Sequence, residues 1–210
     1  MKKATELSES TGDLPELLQI PIFPLNAVLF PGGVLPLRIF EPRYLDMISN
    51  CLKKGTGFGV CLISEGREVG IAARTYEIGT LGHISYFQKL PDGLLGVTVR
   101  GVQRFQILNE EVRPDQLTIA NVRLVPNDPE LPLSNDMDSL VDWLRNMLEQ
   151  MSDPYSRVPK HYDDAGWVSN RLSELLPIPL AQKQFLLQID DPTQRIERLC
   201  SILENMDLVI

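Results

Sequence analysis

The chain has 210 residues, 43% of them hydrophobic and 23% charged, the make-up of an ordinary globular protein with enough length for one large domain or two small ones. Its net charge of −8 comes wholly from residues 126–210, where 7 basic residues face 15 acidic ones, while residues 1–125 balance at 13 each; without a basic excess in either half, a nucleic-acid partner is not expected. No apolar run approaches the roughly 20 residues a membrane helix needs, and the three cysteines form no CxxC pair, which fits a reducing compartment and a cytoplasmic location.

The opening "MKKATELSESTGDL" is polar and lacks the apolar core of a secretory signal, so residues 1–14 are expected as a tail. From residue 15 to 125 the chain reads as a β-rich subdomain, with short runs of Val, Ile, Phe and Tyr broken by Gly, Pro and Asp. "QIPIF" begins a strand, and its neighbouring prolines argue for an edge or a strand end. Pro31 and Gly32 suit the two central positions of a type II turn. "VLPLRIF" is the next strand. Pro42 opens a helix over "PRYLDMISNCLKK", with Tyr44 or Leu45, Ile48 and Leu52 on one face, and Gly55 ends it.

"GFGVCLIS" reads as a buried strand. "TYEIGTLGHISYFQKL" is a long strand with a bend expected at Gly79 or Gly82, and Pro91-Asp92-Gly93 is a tight hairpin turn. "LLGVTVRG" and "QRFQILNEE" follow as strands. "QLTIANVRLV" is the last, with Thr118, Ala120, Val122 and Leu124 on one face. Residues 126–136, with three prolines and three acidic residues, form the expected linker.

From 137 to 210 the spacing is helical. Leu140, Leu144, Met147, Leu148 and Met151 share one face, and so do Val168, Leu172, Leu175 and Leu176. Asp163 or Asp164 caps the second of these helices. Pro179 opens a short helix, and Asp191-Pro192 starts the last one, which buries Ile196, Leu199, Cys200, Leu203 and Met206. The whole reads as α+β, a β-rich subdomain followed by an acidic bundle of about four helices.

Motifs of chemistry are missing. There is no GxxxxGK[ST], GxSxG, HExxH or GxGxxG. The two histidines, His83 and His161, fall in different predicted subdomains. Asp163 and Asp164 beside His161 read as helix caps rather than metal ligands. No catalytic residue, metal site or cofactor is therefore expected.

Three stretches carry a resemblance. "IPIFPLNAVLFPGGVLPLRIFEPRY", "YEIGTLGHISYFQKLPDGLLGVTVRGVQRFQI" with Gly101, Arg104 and Phe105, and "VSNRLSELLPIPLAQKQFLLQIDDPTQRIERLCSIL" with Lys183, Gln184, Leu187 and Arg195 together resemble the Lon protease N-terminal domain family over about residues 18–203. The resemblance implies a PUA-like β pseudo-barrel followed by a helical bundle, in a free-standing form without ATPase or peptidase domains. It also implies a role: a non-catalytic module that binds unfolded or partner polypeptide, within a protease or chaperone system. An exposed apolar patch would serve that role, and Phe30, Pro31, Val34 and Met47 are its candidates. The alternative is a small-ligand or RNA-binding PUA-like domain, which would need Arg38, Arg43, Arg100 and Arg104 clustered and exposed.

One short segment, "LRIFEPRY", holds Arg38, Glu41 and Arg43 beside apolar residues. Unpaired charges next to a core are costly, so the three are expected as a structural charge cluster. Glu41 is placed to cap the helix, Arg38 to reach Glu41 or nearby carbonyls, and Phe40 or Tyr44 to enter the core.

Overall fold

A computed structural model describes residues 17–134 and 137–205. The expected tail and Met206 lie outside those residues. The first part holds seven strands: β1 (Leu17–Leu25), β2 (Val34–Ile39), β3 (Phe58–Glu65), β4 (Arg74–Thr75), β5 (Ile78–Lys89), β6 (Leu95–Val112) and β7 (Thr118–Leu124). One helix, α1 (Pro42–Lys54), interrupts them. The second part holds α2 (Asp138–Gln150), a 3-10 turn (Tyr155–Arg157), α3 (Ala165–Leu175), α4 (Leu180–Leu187) and α5 (Pro192–Asn205). The fold is α+β.

The sheet closes on itself. β1 pairs with β7, β7 with β6, β6 with β5 and β5 with β3, and a parallel contact between β3 and β1 completes the ring. Closure removes free edges from most of the ring. β2 adds to the first half of β6, and β4 adds to β3.

The two expected strands flanking Gly101 are a single one, β6, whose 18 residues serve three partners. Residues 95–106 pair with β5, 95–100 also with β2, and 105–112 with β7. The pairing of β6 with β5 shifts register twice, at Leu81/Gly82 and at Ile84/Tyr86; the first shift falls at Gly82, one of the two glycines where β5 was expected to bend. β1 likewise changes partner along its length: residues 17–22 lie against β7 and 22–25 against β3. Pro21 and Pro24 therefore sit in halves flanked mainly on one side, where a missing N–H is tolerated.

The local signals for turns and caps operate as read. Gly32 takes a φ of +75 and Gly33 N donates to Phe30 O at 3.0 Å, as a Pro-Gly type II turn requires. Gly55, at φ +66, ends α1. Asp164 Oδ1 accepts from Trp167 N at 2.6 Å at the start of α3. Asp191 Oδ1 accepts from Thr193 N at 2.8 Å at the start of α5.

The buried face of α1 runs through Tyr44, Met47, Ile48 and Cys51, one residue step away from the stripe through Leu45 and Leu52, which are exposed. This face packs on Phe23, Phe58, Val97 and Val99. The helical core, built on Leu144, Leu172, Leu186 and Leu199, also takes in Val28, Phe30 and Leu62 from the first part. The two parts thus share one apolar core. The connection between them is tied down: Leu133 N donates to Asp163 O at 3.1 Å and Ala165 N to Leu131 O at 2.9 Å.

Candidate functional site

The junction between β2 and α1 carries the LRIFEPRY segment, and its charges pair differently from expectation. Arg43 is buried, and its Nη2 lies 2.9 Å from Glu41 Oε2. Its Nη1 donates to Gln116 O at 2.8 Å. Glu41 is the cap residue of α1 by position, but its side chain makes no capping hydrogen bond; the neighbouring guanidinium holds the carboxylate instead. Arg38 does not reach Glu41. It is exposed and pairs with Asp92 in the β5–β6 turn. A residue on a strand alternates faces, so Arg38 projects opposite to Ile39, which is buried.

Tyr44 is the aromatic that enters the core. It stacks on Phe23 with ring centroids 4.1 Å apart and lies under the Arg43 guanidinium. Burial pushes its phenol up to about 12, with Arg43 acting the other way. Phe40 stays outside, at 53% exposure.

The expected patch at Phe30, Pro31, Val34 and Met47 is not a surface. Phe30, Val34 and Met47 are buried, and only Pro31 is half-exposed. Phe30 belongs to the helical core and Met47 to the core under α1. Phe30, Pro31 and Val34 look surface-bound in sequence because glycines and prolines surround them; in the fold the Pro-Gly-Gly turn is pressed against α3. Arg171 Nη2 donates to Pro31 O at 2.8 Å.

Exposed apolar residues gather elsewhere. A groove of about 330 Å³ is lined by Phe23 and Leu25 of β1, Pro36, Leu37 and Ile39 of β2, and Tyr44 and Val69. Phe40 lines it as well. Val69 is 56% exposed and Ile71, on the same loop, 81%. Glu41 and Glu68 also line the groove, each already engaged: Glu68 Oε1 accepts from Asn26 N at 2.6 Å. Six of the eight LRIFEPRY residues, from Leu37 to Glu41 with Tyr44, thus form one wall. The segment is both a structural junction and the side of a cleft.

A second constellation joins the two parts of the molecule. Asp128 is the hub. Arg195, fully buried, sends Nη1 to Asp128 Oδ2 at 2.6 Å and Nη2 to Oδ1 at 3.1 Å, a bidentate fork. Arg104 of β6 adds Nη2 to Oδ1 at 3.3 Å and reaches Asp190 at 2.9 Å. It also donates to Leu187 O at 3.1 Å and Ile189 O at 3.2 Å, carbonyls left open where α4 ends. Nearby, Arg171 and Glu174 of α3 pair at 2.8 Å in full burial. Arg104 and Arg195 are committed to Asp128 and to backbone carbonyls, so they bind the molecule together rather than offer chemistry. Asp128 falls in the expected linker, where nothing in the sequence marks it as a partner for two distant arginines.

Among the described residues no group of three or more His, Cys, Asp or Glu is placed to hold a metal. Burial pushes the Cys61 thiol up to about 12, far from the thiolate a nucleophile needs. No helix of the described residues is long and apolar enough to cross a membrane.

Residues 19–205 match the family described as the ATP-dependent protease La (LON) substrate-binding domain. The chain belongs to this Lon substrate-binding domain family.

Solved structures agree. A Lon N-terminal domain protein from Xanthomonas campestris superimposes with a TM-score of 0.74 at 36% identity, covering 88% of this chain and 98% of the other. The N-terminal domain of Mycobacterium avium complex Lon protease shares the fold, with a TM-score of 0.61 at 18% identity, covering 90% of this chain and 99% of that one. Among curated relatives, a Lon protease of Parabacteroides distasonis is 29% identical over 96% of this chain, and one of Orientia tsutsugamushi 30% identical over 86%. The chain spans about a quarter of their length, 25% and 24%. Gly101, Arg104 and Arg195, from the stretches that carry the resemblance, fall on the contact between barrel and helices: Gly101 beneath the Phe30 backbone, the two arginines around Asp128.

Proposed function

We propose that this Lon-type domain is a non-catalytic module that holds extended, apolar stretches of partner or unfolded polypeptide in the groove beside LRIFEPRY. The observation that carries the reading is the exposure of Phe40 and Val69 at a groove floored by Phe23 and Tyr44. Exposed apolar side chains grouped at a concave site mark interaction surfaces. The prolines along it, Pro24 in β1 and Pro36 in β2, discourage strand-to-strand addition, so the groove takes side chains rather than a new strand. Family membership supports a polypeptide ligand, of the kind a protease or chaperone system handles. A cytoplasmic site of action fits Cys51 and Cys61, both buried as thiols.

The RNA-binding alternative lacks its exposed arginine cluster. Arg43 and Arg104 are buried, each beside its own carboxylates.

Fluorescence anisotropy with labelled, reduced and alkylated lysozyme as an unfolded polypeptide tests the reading. The double variant Phe40→Asp, Val69→Asp is expected to bind at least about tenfold more weakly, since burying one such side chain is worth about 1.5–3 kcal/mol and tenfold is about 1.4 kcal/mol. Its melting temperature should match the parent, because both side chains face solvent. Unchanged affinity would sink the groove as the site.

A further inference from the structure

A larger cavity lies away from the groove, at the other end of α1. It measures about 460 Å³ and is walled by Leu18, Ile20 and Pro21 of β1, the last turns of α1, Leu81 and His83 of β5, and Leu117 and Ile119. Its size is that of a small-molecule site. Its floor is apolar: Met47, Cys51 and Leu117 are all buried.

The polar groups around it have one sign. Lys54 and Arg113 are lining residues, with His83 and the amides of Gln19 and Asn50, and among the described residues no Asp or Glu lines the cavity. Lys54 is exposed, and the Arg113 side chain is 54% exposed, so both stand at the rim. Arg113 lies 3.6 Å from Asp115, itself 45% exposed; such a surface pair is weak and leaves the guanidinium open to a better partner. In a chain of net charge −8, an apolar cavity whose described lining carries Lys54 and Arg113 and no carboxylate is a selective feature. It repels cationic ligands and favours an anion with an apolar body.

We propose that this cavity binds an aliphatic carboxylate, its hydrocarbon chain against Leu18, Ile20, Met47 and Leu81 and its carboxylate at the rim between Lys54 and Arg113. A chain of this kind brings apolar area to be buried and one charge for charge-assisted hydrogen bonds. The carboxyl end of a polypeptide offers the same chemistry at its tip. The rest of a peptide would have to run along the free edge of β5, which begins at His83 because β3 pairs only as far as Gly82. That edge is interrupted at once by the register shift between Ile84 and Tyr86, and bulges of this sort break strand addition. A small free carboxylate is thus the better occupant. This site is independent of the polypeptide groove.

Calorimetric titration of the intact protein with decanoate, decanol and a decapeptide ending in Leu with a free carboxylate tests the proposal. Decanoate should bind at least about tenfold more tightly than decanol and more tightly than the peptide, and weaken as salt is raised. Lys54→Glu with Arg113→Glu should erase the preference for decanoate over decanol; both residues face solvent, so an unchanged melting temperature certifies the fold. Phe40→Asp with Val69→Asp, which tests the groove, should leave decanoate binding as it is. Equal binding of decanoate and decanol, tighter binding of the peptide, indifference to the charge reversal, or no decanoate binding up to about 1 mM would each overturn the assignment.

Discussion

Glu41 and Asp128 show how much a single carboxylate can hold when arginines are buried around it. Removing Asp128 would leave Arg195 and Arg104 inside the protein without their shared counter-charge. Breaking a buried pair from one side costs about 3–5 kcal/mol, so Asp128→Ala should lower the urea midpoint sharply. Asp128→Asn, which keeps the shape and part of the hydrogen bonding, should cost less. Equal midpoints for parent and Ala variant would show that the network contributes nothing. Glu41→Ala is milder, because Arg43 keeps its bond to Gln116 O; about 1–3 kcal/mol is expected for the orphaned partner. If that variant melts like the parent yet loses polypeptide binding, Glu41 acts in the groove and not as a structural pair.

Gly101 sets the geometry of whole elements. A Cβ there would lie 2.3 Å from Phe30 O, and backbone cannot move aside as a flexible side chain can. The glycine lets the turn after β1 lie flat on β6, with Gly32 N donating to Gly101 O and Gly101 N to Gly33 O, both at 2.9 Å. Gly101→Ala should therefore destabilise by more than the usual Gly-to-Ala change and separate β2 from β6. Circular dichroism melts and amide exchange at residues 34–39 would read both effects, and exchange as slow as in the parent would contradict them. Element boundaries were legible in the sequence wherever the signal is local: Pro42 and Gly55 around α1, Asp164 before α3, Asp191-Pro192 before α5. The face of α1 was half legible. Helical spacing fits both the Leu45 stripe and the Tyr44–Met47–Ile48–Cys51 stripe, and only the position of Phe23 and Phe58 selects the second.

The whole molecule depends on the contact between barrel and helices, where Arg171 and Glu174 of α3 meet the Pro31 turn. Burial raises the Glu174 carboxyl above its ordinary 4.5, with Arg171 opposing. Desolvation prevails because the 2.8 Å contact of Arg171 Nη1 with Oε2 lacks hydrogen-bond geometry. The folded state then holds this proton more tightly than the unfolded chain. Its contribution to stability is complete below about pH 4.5 and declines as pH rises through the higher folded value. Urea midpoints of the parent, relative to Glu174→Gln, should accordingly fall as pH increases from 4.5 towards neutrality. A constant difference across that range would show that the carboxyl is not shifted.

Sequence alone determined the α+β class, the helix order and most of the strands, the caps of α3 and α5, the Pro-Gly turn and the family, because each rests on local spacing or on residue strings that keep their order along the chain. It also singled out LRIFEPRY, though not the partners of its charges. Only the tertiary structure decided those partners, the closure of the barrel through the β1–β3 contact, the role of Asp128, and which apolar residues face water. Phe30 and Val34 look like surface anchors in a string of prolines and glycines, while Phe40, Val69 and Ile71 look unremarkable. Exposure and ion pairing arise between residues far apart in the chain, and no periodicity along it records which of them will meet.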